Sequence, residues 1–122
     1  MLEKKILIVD DDEDLHTLYG LFLQGESFRI ARAYNGLQAL EALDKERPDL
    51  IVLDMIMPVM TGEEFLVKLQ TLDLKMKNTP IIIASVNEKI PHDVLRCGNI
   101  RATLKKPFTI ETLISKIHEA IG

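Results

Sequence analysis

The chain lacks the features that would mark it as secreted, membrane-bound or nucleic-acid-binding. Cys97 is its single cysteine, so no disulfide can form within the chain. That fits a reducing compartment, and a cytoplasmic location is the expectation. No apolar stretch approaches the length of a membrane span, so no membrane partner is expected. The residues from Met1 to Lys5 hold no apolar core of the kind a secretion signal needs, and none is expected. Basic residues are not in excess: the formal net charge is −4, which argues against a nucleic-acid surface. There is no internal repeat, low-complexity tract or linker. What remains is an ordinary globular composition, 47% hydrophobic and 28% charged. At 122 residues a single domain, 1–122, is expected.

Apolar patterning alternates between strand and helix. Residues 5–9, 49–53 and 81–84 read as strands, because the apolar runs Ile6–Val9, Leu50–Leu53 and Ile81–Ala84 are the signature of parallel strands buried on both faces. Phe28 to Ala33 alternates apolar and charged side chains and reads as a strand nearer a sheet edge. Residues 101–104 read as a weak fifth strand. Leu15, Leu18, Tyr19 and Phe22 recur at helical spacing and predict an amphipathic helix over 13–24. Leu37, Leu40 and Leu43 mark a second helix, and Phe65, Leu69 and Leu72 a third. Pro91 suits the first turn of a short fourth helix carrying Val94 and Cys97. Ile110, Leu113, Ile114 and Ile117 mark the last. Five strands alternating with five helices predict a doubly wound α/β sheet. With the second strand at an edge and the first and third central, the order is 2-1-3-4-5. The switch point of such a sheet, where ligands bind, lies between the first and third strands.

Both of those strands end in aspartate. Asp10, Asp11 and Asp12 follow Ile6–Val9, and Asp54 follows Leu50–Leu53. Crowded carboxylates cost free energy unless a cation compensates them, so Asp10, Asp11 and Asp54 point to a metal site. Hard oxygen donors with room for water suit Mg²⁺. A carboxylate beside a metal can also act as a nucleophile toward phosphorus. Phosphoryl transfer needs hydrogen-bond donors and cations around the moving group. Ser85, after the fourth strand, offers a hydroxyl. Lys106, after the fifth, offers a fixed charge, and Pro107 allows a cis bond at 106–107.

At these residues the chain resembles the receiver domain of bacterial two-component response regulators. The resemblance rests on Ile8-Val9-Asp10-Asp11-Asp12-Glu13, on Leu53-Asp54-Met55-Ile56-Met57-Pro58-Val59-Met60-Thr61-Gly62, on Ile83-Ala84-Ser85 and on Lys105-Lys106-Pro107-Phe108. The second segment meets the family pattern D-x-x-M-P-x-M-x-G at every fixed position. The resemblance implies a flavodoxin-like fold. It also implies that Asp54 accepts the phosphoryl group and that Asp11 ligates Mg²⁺ (or Mn²⁺) directly. Asp10 would act through metal-bound water, and Ile56 would ligate through its backbone carbonyl. Ser85 would hydrogen-bond the phosphoryl group and Lys106 pair with it. The implied donor is a histidine kinase or a histidine phosphotransfer protein. The implied output is an effector protein bound by the fourth helix, fifth strand and fifth helix. The chain would then be a stand-alone switch with chemistry only on itself.

The remaining polar residues have plainer readings. Asp12, Glu13 and Asp14 suit helix capping. Met55, Met57 and Met60 suit packing, as does Cys97. His16, His92 and His118 share no ligand spacing and are expected at the surface. Three departures from the family bear on the switch. Thr103 stands where Tyr or Phe is usual, Val86 where a small residue is usual, and the stretch from Gly98 to Lys106 is one residue longer than the commonest spacing. They leave open a degenerate receiver that binds partners without phosphorylation. A haloacid-dehalogenase-type phosphatase would need an acid where Ile56 stands. A flavodoxin-like cofactor binder would need a hydroxyl- and glycine-rich loop where the three aspartates stand.

Overall fold

The computed structural model describes residues 3–86, 90, 94 and 99–122. Five strands form one parallel sheet: β1 (Lys5–Val9), β2 (Arg29–Ala33), β3 (Leu50–Leu53), β4 (Ile81–Ser85) and β5 (Ile100–Lys105). Their order is β2-β1-β3-β4-β5, as the sequence pattern predicts. β1 pairs with β2 and β3 through nearly the same residues, so both central strands end at one level. Successive side chains of a strand point to opposite faces. Leu7, Val9, Ile51, Leu53, Ile81 and Ile83 enter one buried cluster with Phe65 and Leu69. Ile6, Ile8, Leu50, Val52, Ile82 and Ala84 enter the other with Tyr19, Leu23, Leu113 and Ile117. This explains why β1, β3 and β4 read as unbroken apolar runs. Each fully buried Leu or Ile is worth roughly 1.5–3 kcal/mol of apolar burial, before the entropy of ordering it.

The described helices are α1 (Glu13–Gly25), α2 (Gly36–Lys45), α3 (Gly62–Leu69), a single turn α4 (Leu74–Lys77) and α5 (Ile110–Ile121). Their starts follow from capping chemistry. Asp12 accepts from the backbone N–H groups of Asp14 and Leu15, and Glu13 and Asp14 occupy the first turn of α1. Thr61 and Glu64 form a reciprocal capping box at α3. None of these helices is long and apolar enough to cross a membrane. The fourth helix expected after Pro91 lies outside the described residues, apart from Val94, which is helical and buried.

Three details differ from the sequence reading. The buried stripe of α1 is His16, Tyr19, Gly20 and Leu23, while Leu18 and Phe22 are 44% and 47% exposed. The inward face is thus rotated from the one the leucines suggest, and His16 is buried, not at the surface. The third helix stops at Leu69 and does not reach Leu72. Asp73 caps α4 by accepting from the Met76 N–H, a local bond that competes with continuing the helix. Between β4 and β5 the register jumps from Ile81–Ile100 to Ile82–Ala102, leaving Arg101 as the extra residue of a bulge.

Candidate functional site

The carboxyl ends of β1 and β3 bring Asp10, Asp11 and Asp54 together. One carboxylate oxygen from each lies within 4.8 Å of the others. Backbone bonds continue the sheet one residue past the strands: Asp10 N–H donates to the Ala33 carbonyl at 3.0 Å and Asp54 N–H to the Val9 carbonyl at 2.9 Å. Asp10 and Asp54 are buried and Asp11 is exposed, so the cluster opens to solvent on the Asp11 side. Asp10 Oδ1 accepts from the Asp12 N–H at 2.9 Å. Asp54 Oδ1 accepts from the Ile56 N–H at 3.2 Å. The following loop packs tightly: a Cβ on Gly62 would come within 2.5 Å of the Asp54 carbonyl oxygen, so only glycine fits there. Val59, at the tip of that loop, has φ +67° and is 76% exposed. The Met60 N–H donates to the Pro58 carbonyl across it at 2.7 Å. This is a γ-turn about a β-branched residue in the left-handed region, a strained arrangement.

Lys106 enters from the end of β5, beside Pro107, and the Lys106–Pro107 bond is cis. Its ammonium bonds Asp10 Oδ2 at 2.6 Å and Asp54 Oδ2 at 3.4 Å. Burial acts against its charge, but the bond to Asp10 and the fields of Asp10 and Asp54 outweigh that and hold it above the usual lysine range. Burial pushes the Asp54 carboxyl above the usual aspartate range, against the pull of the Ile56 N–H and Lys106, while Asp10 adds to the rise. Ser85 is buried at the end of β4. The Ile56 side chain is 54% exposed at the mouth and Val86 is 60% exposed. His92 and Cys97 lie outside the described residues.

A family model described as the response regulator receiver domain matches residues 6–118. The chain belongs to that family. Sporulation initiation phosphotransferase F of Bacillus subtilis is 42% identical over 93% of this chain and 90% of that protein. Response regulator GtcR of Aneurinibacillus migulanus is 33% identical over 95% of this chain, which spans only 47% of that protein. Among solved structures, the chemotaxis protein CheY4 of Vibrio cholerae matches with a TM-score of 0.82 and 32% identity, covering 98% of this chain and 99% of that one. The chain is therefore a receiver-domain phosphoacceptor of two-component signalling, not an enzyme that turns over a metabolite. Its three aspartates form the acidic cluster typical of a receiver metal site.

One pocket residue was missed by sequence reasoning. His16, only 1% exposed, reaches from α1 to the Asp10 carbonyl, with Nε2 at 2.7 Å. The stripe of His16, Tyr19, Gly20 and Leu23 at positions i, i+3, i+4 and i+7 was the available signal.

Proposed function

We propose that this receiver takes a phosphoryl group onto Asp54 from a histidine kinase or a histidine phosphotransfer protein, with Mg²⁺ in the acidic cluster. The observation that carries the reading is Lys106, a partly buried ammonium bonded to Asp10 and Asp54 at once. A cation is already drawn to the point where the negative charge of a phosphoryl group would fall. Three carboxylates against one ammonium leave net negative charge, and the donors are all hard oxygens, so the cluster fits a divalent cation. Asp11, exposed and open to solvent, would be the direct ligand; Asp10 would act through water on the metal, and Ile56 would offer its backbone carbonyl. Mn²⁺ has the same donor preference. When bound, the metal supplies charge neutralisation for the transferring phosphoryl oxygens.

The protein's own groups do the rest. Asp54 is the nucleophile: a carboxylate oxygen attacks phosphorus while the bond to the donor nitrogen breaks and the donor imidazole leaves with that electron pair. The Ile56 N–H and Lys106 favour its charged form against the cost of burial. Ser85 would donate its hydroxyl to one phosphoryl oxygen and Lys106 its ammonium to another. The chain acts as a single receiver domain, 1–122, in the cytoplasm. Its output goes to another protein through the face of the helix expected after Pro91, β5 and α5.

Intact-mass measurement after incubation with acetyl phosphate and Mg²⁺ tests the reading. One added phosphoryl group is expected, absent with EDTA and absent in Asp54→Ala. Labelling that survives in Asp54→Ala would overturn the assignment.

A further inference from the structure

We propose that His16 is a positioning residue for the acidic pocket: its Nε2–H holds the Asp10 carbonyl and thereby sets the Asp10–Asp11 peptide that aims both carboxylates at the cation. The proposal rests on the metal reading above.

Asp10 lies one residue past β1, where the ladder ends. Its N–H is bonded to Ala33 and its carboxylate to Asp12 and Lys106. Its carbonyl accepts from His16 at 2.7 Å inside the protein. A carbonyl can only accept, so Nε2 must carry the hydrogen. That bond fixes the plane of the peptide joining Asp10 to Asp11. The plane in turn sets where the Asp11 side chain leaves the chain. Asp11 is exposed, and its carboxylate has no strand to hold it.

An imidazole is a costly choice at this place. His16 is 1% exposed, and its Nδ1 has no hydrogen-bond partner among the described residues. A buried polar atom left unpaired works against folding, and an apolar side chain would avoid the cost. Its ring contact with Tyr34, at 4.5 Å and 47°, would serve a phenyl ring equally well. What a phenyl ring cannot do is donate to Asp10. Partners standing behind metal ligands orient them in this way, and losing one weakens binding by about ten- to a hundredfold.

The test compares wild type, His16→Phe and His16→Gln. Phenylalanine keeps the ring against Tyr34 and removes the donor; glutamine returns an N–H at similar reach. Mg²⁺ affinity is read by calorimetric titration, and the Asp10 carbonyl carbon shift by NMR in EDTA. His16→Phe is expected to bind Mg²⁺ about tenfold more weakly, with the Asp10 carbonyl shift moved. His16→Gln should recover most of the affinity. Wild-type affinity in His16→Phe, or no recovery in His16→Gln, would overturn the proposal. Wild type that binds no Mg²⁺ would instead overturn the metal reading and carry this proposal down with it. Imidazole nitrogen shifts of the wild type give a check that needs no variant: the hydrogen must sit on Nε2, and an Nδ1–H ring would end the argument.

Discussion

The Lys106 ammonium stands 2.6 Å from Asp10 Oδ2, its shortest bond in the pocket and shorter than its 3.4 Å approach to Asp54. In this state the lysine is committed chiefly to Asp10. A phosphoryl group on Asp54 would compete for it, so Lys106 links the occupancy of the pocket to the end of β5. Its removal leaves buried carboxylates with no ammonium. Lys106→Met is expected to lose about 2 kcal/mol of stability at neutral pH in EDTA. Mg²⁺ should narrow the gap by supplying the missing positive charge. Urea unfolding with and without Mg²⁺ measures both. Equal stability in EDTA would show that the ion pair contributes nothing net.

Asp54 carries the opposite sign. Burial raises its carboxyl above the usual aspartate range, so the folded state favours the protonated form. In metal-free protein the folded state therefore binds more protons than the unfolded chain. Stability falls as pH rises from the unfolded value through the folded one. At neutral pH the charged group costs stability. Asp54→Asn should gain about 1 kcal/mol at pH 7 in EDTA, and less in acid where Asp54 is already neutral. Melting temperatures at the two pH values decide it. A gain of the same size in acid would show that charge is not the cause.

Strain is placed at the rim of the same pocket. Val59 sits at φ +67° with its side chain 76% exposed, so it gains little from packing in return. Val59→Gly removes the steric conflict of a left-handed β-branched residue, at some entropic cost in the unfolded chain. A net gain of about 1 kcal/mol is expected, with phosphorylation by acetyl phosphate retained. A lower melting temperature would mean that the side chain has a packing role.

The sheet and its acids were legible because both depend on local pattern. Unbroken apolar runs identify β1, β3 and β4, and aspartates at the ends of the first and third must meet once those strands are neighbours. Lys106 was legible from its place before Pro107. Three features were not, for physical reasons. The inward face of α1 is chosen by how the helix lies on the sheet, and His16 faces in where Leu18 would by hydropathy alone. The turn Leu74–Lys77 depends on a capping bond from Asp73, which no periodicity shows. The bulge at Arg101 is a matter of register between two strands, and neither strand carries that information by itself.

Ile56 bears on how long a phosphoryl group would last. It lies two residues beyond Asp54 and is 54% exposed at the pocket mouth. An aliphatic side chain there can neither orient nor deprotonate an attacking water, which a polar side chain can do. Ile56→Asn is therefore expected to lose the phosphoryl group severalfold faster than wild type. Decay of the phosphorylated mass after removal of the donor gives both rates. An unchanged or slower rate would remove Ile56 from the hydrolytic path.

The last prediction concerns how occupancy of the pocket reaches the surface. Receivers resembling this one carry Tyr or Phe where Thr103 stands, and such a ring gains buried area when it turns inward. Thr103 lies on β5 beside Ile83 and is exposed. It offers far less apolar area, and its branched Cβ restricts its rotamers. A ligand shifts a two-state equilibrium only by its difference in affinity for the two states, so less area gained at position 103 means weaker coupling there. Val86, 60% exposed after β4, adds no inward packing there in its place. Addition of beryllofluoride and Mg²⁺ should thus change amide shifts strongly at residues 54–60 and 85–92 and weakly near 103. Thr103→Tyr should enlarge the response along β5. A strong response centred on Thr103 in the wild type would show that the switch does not need the ring.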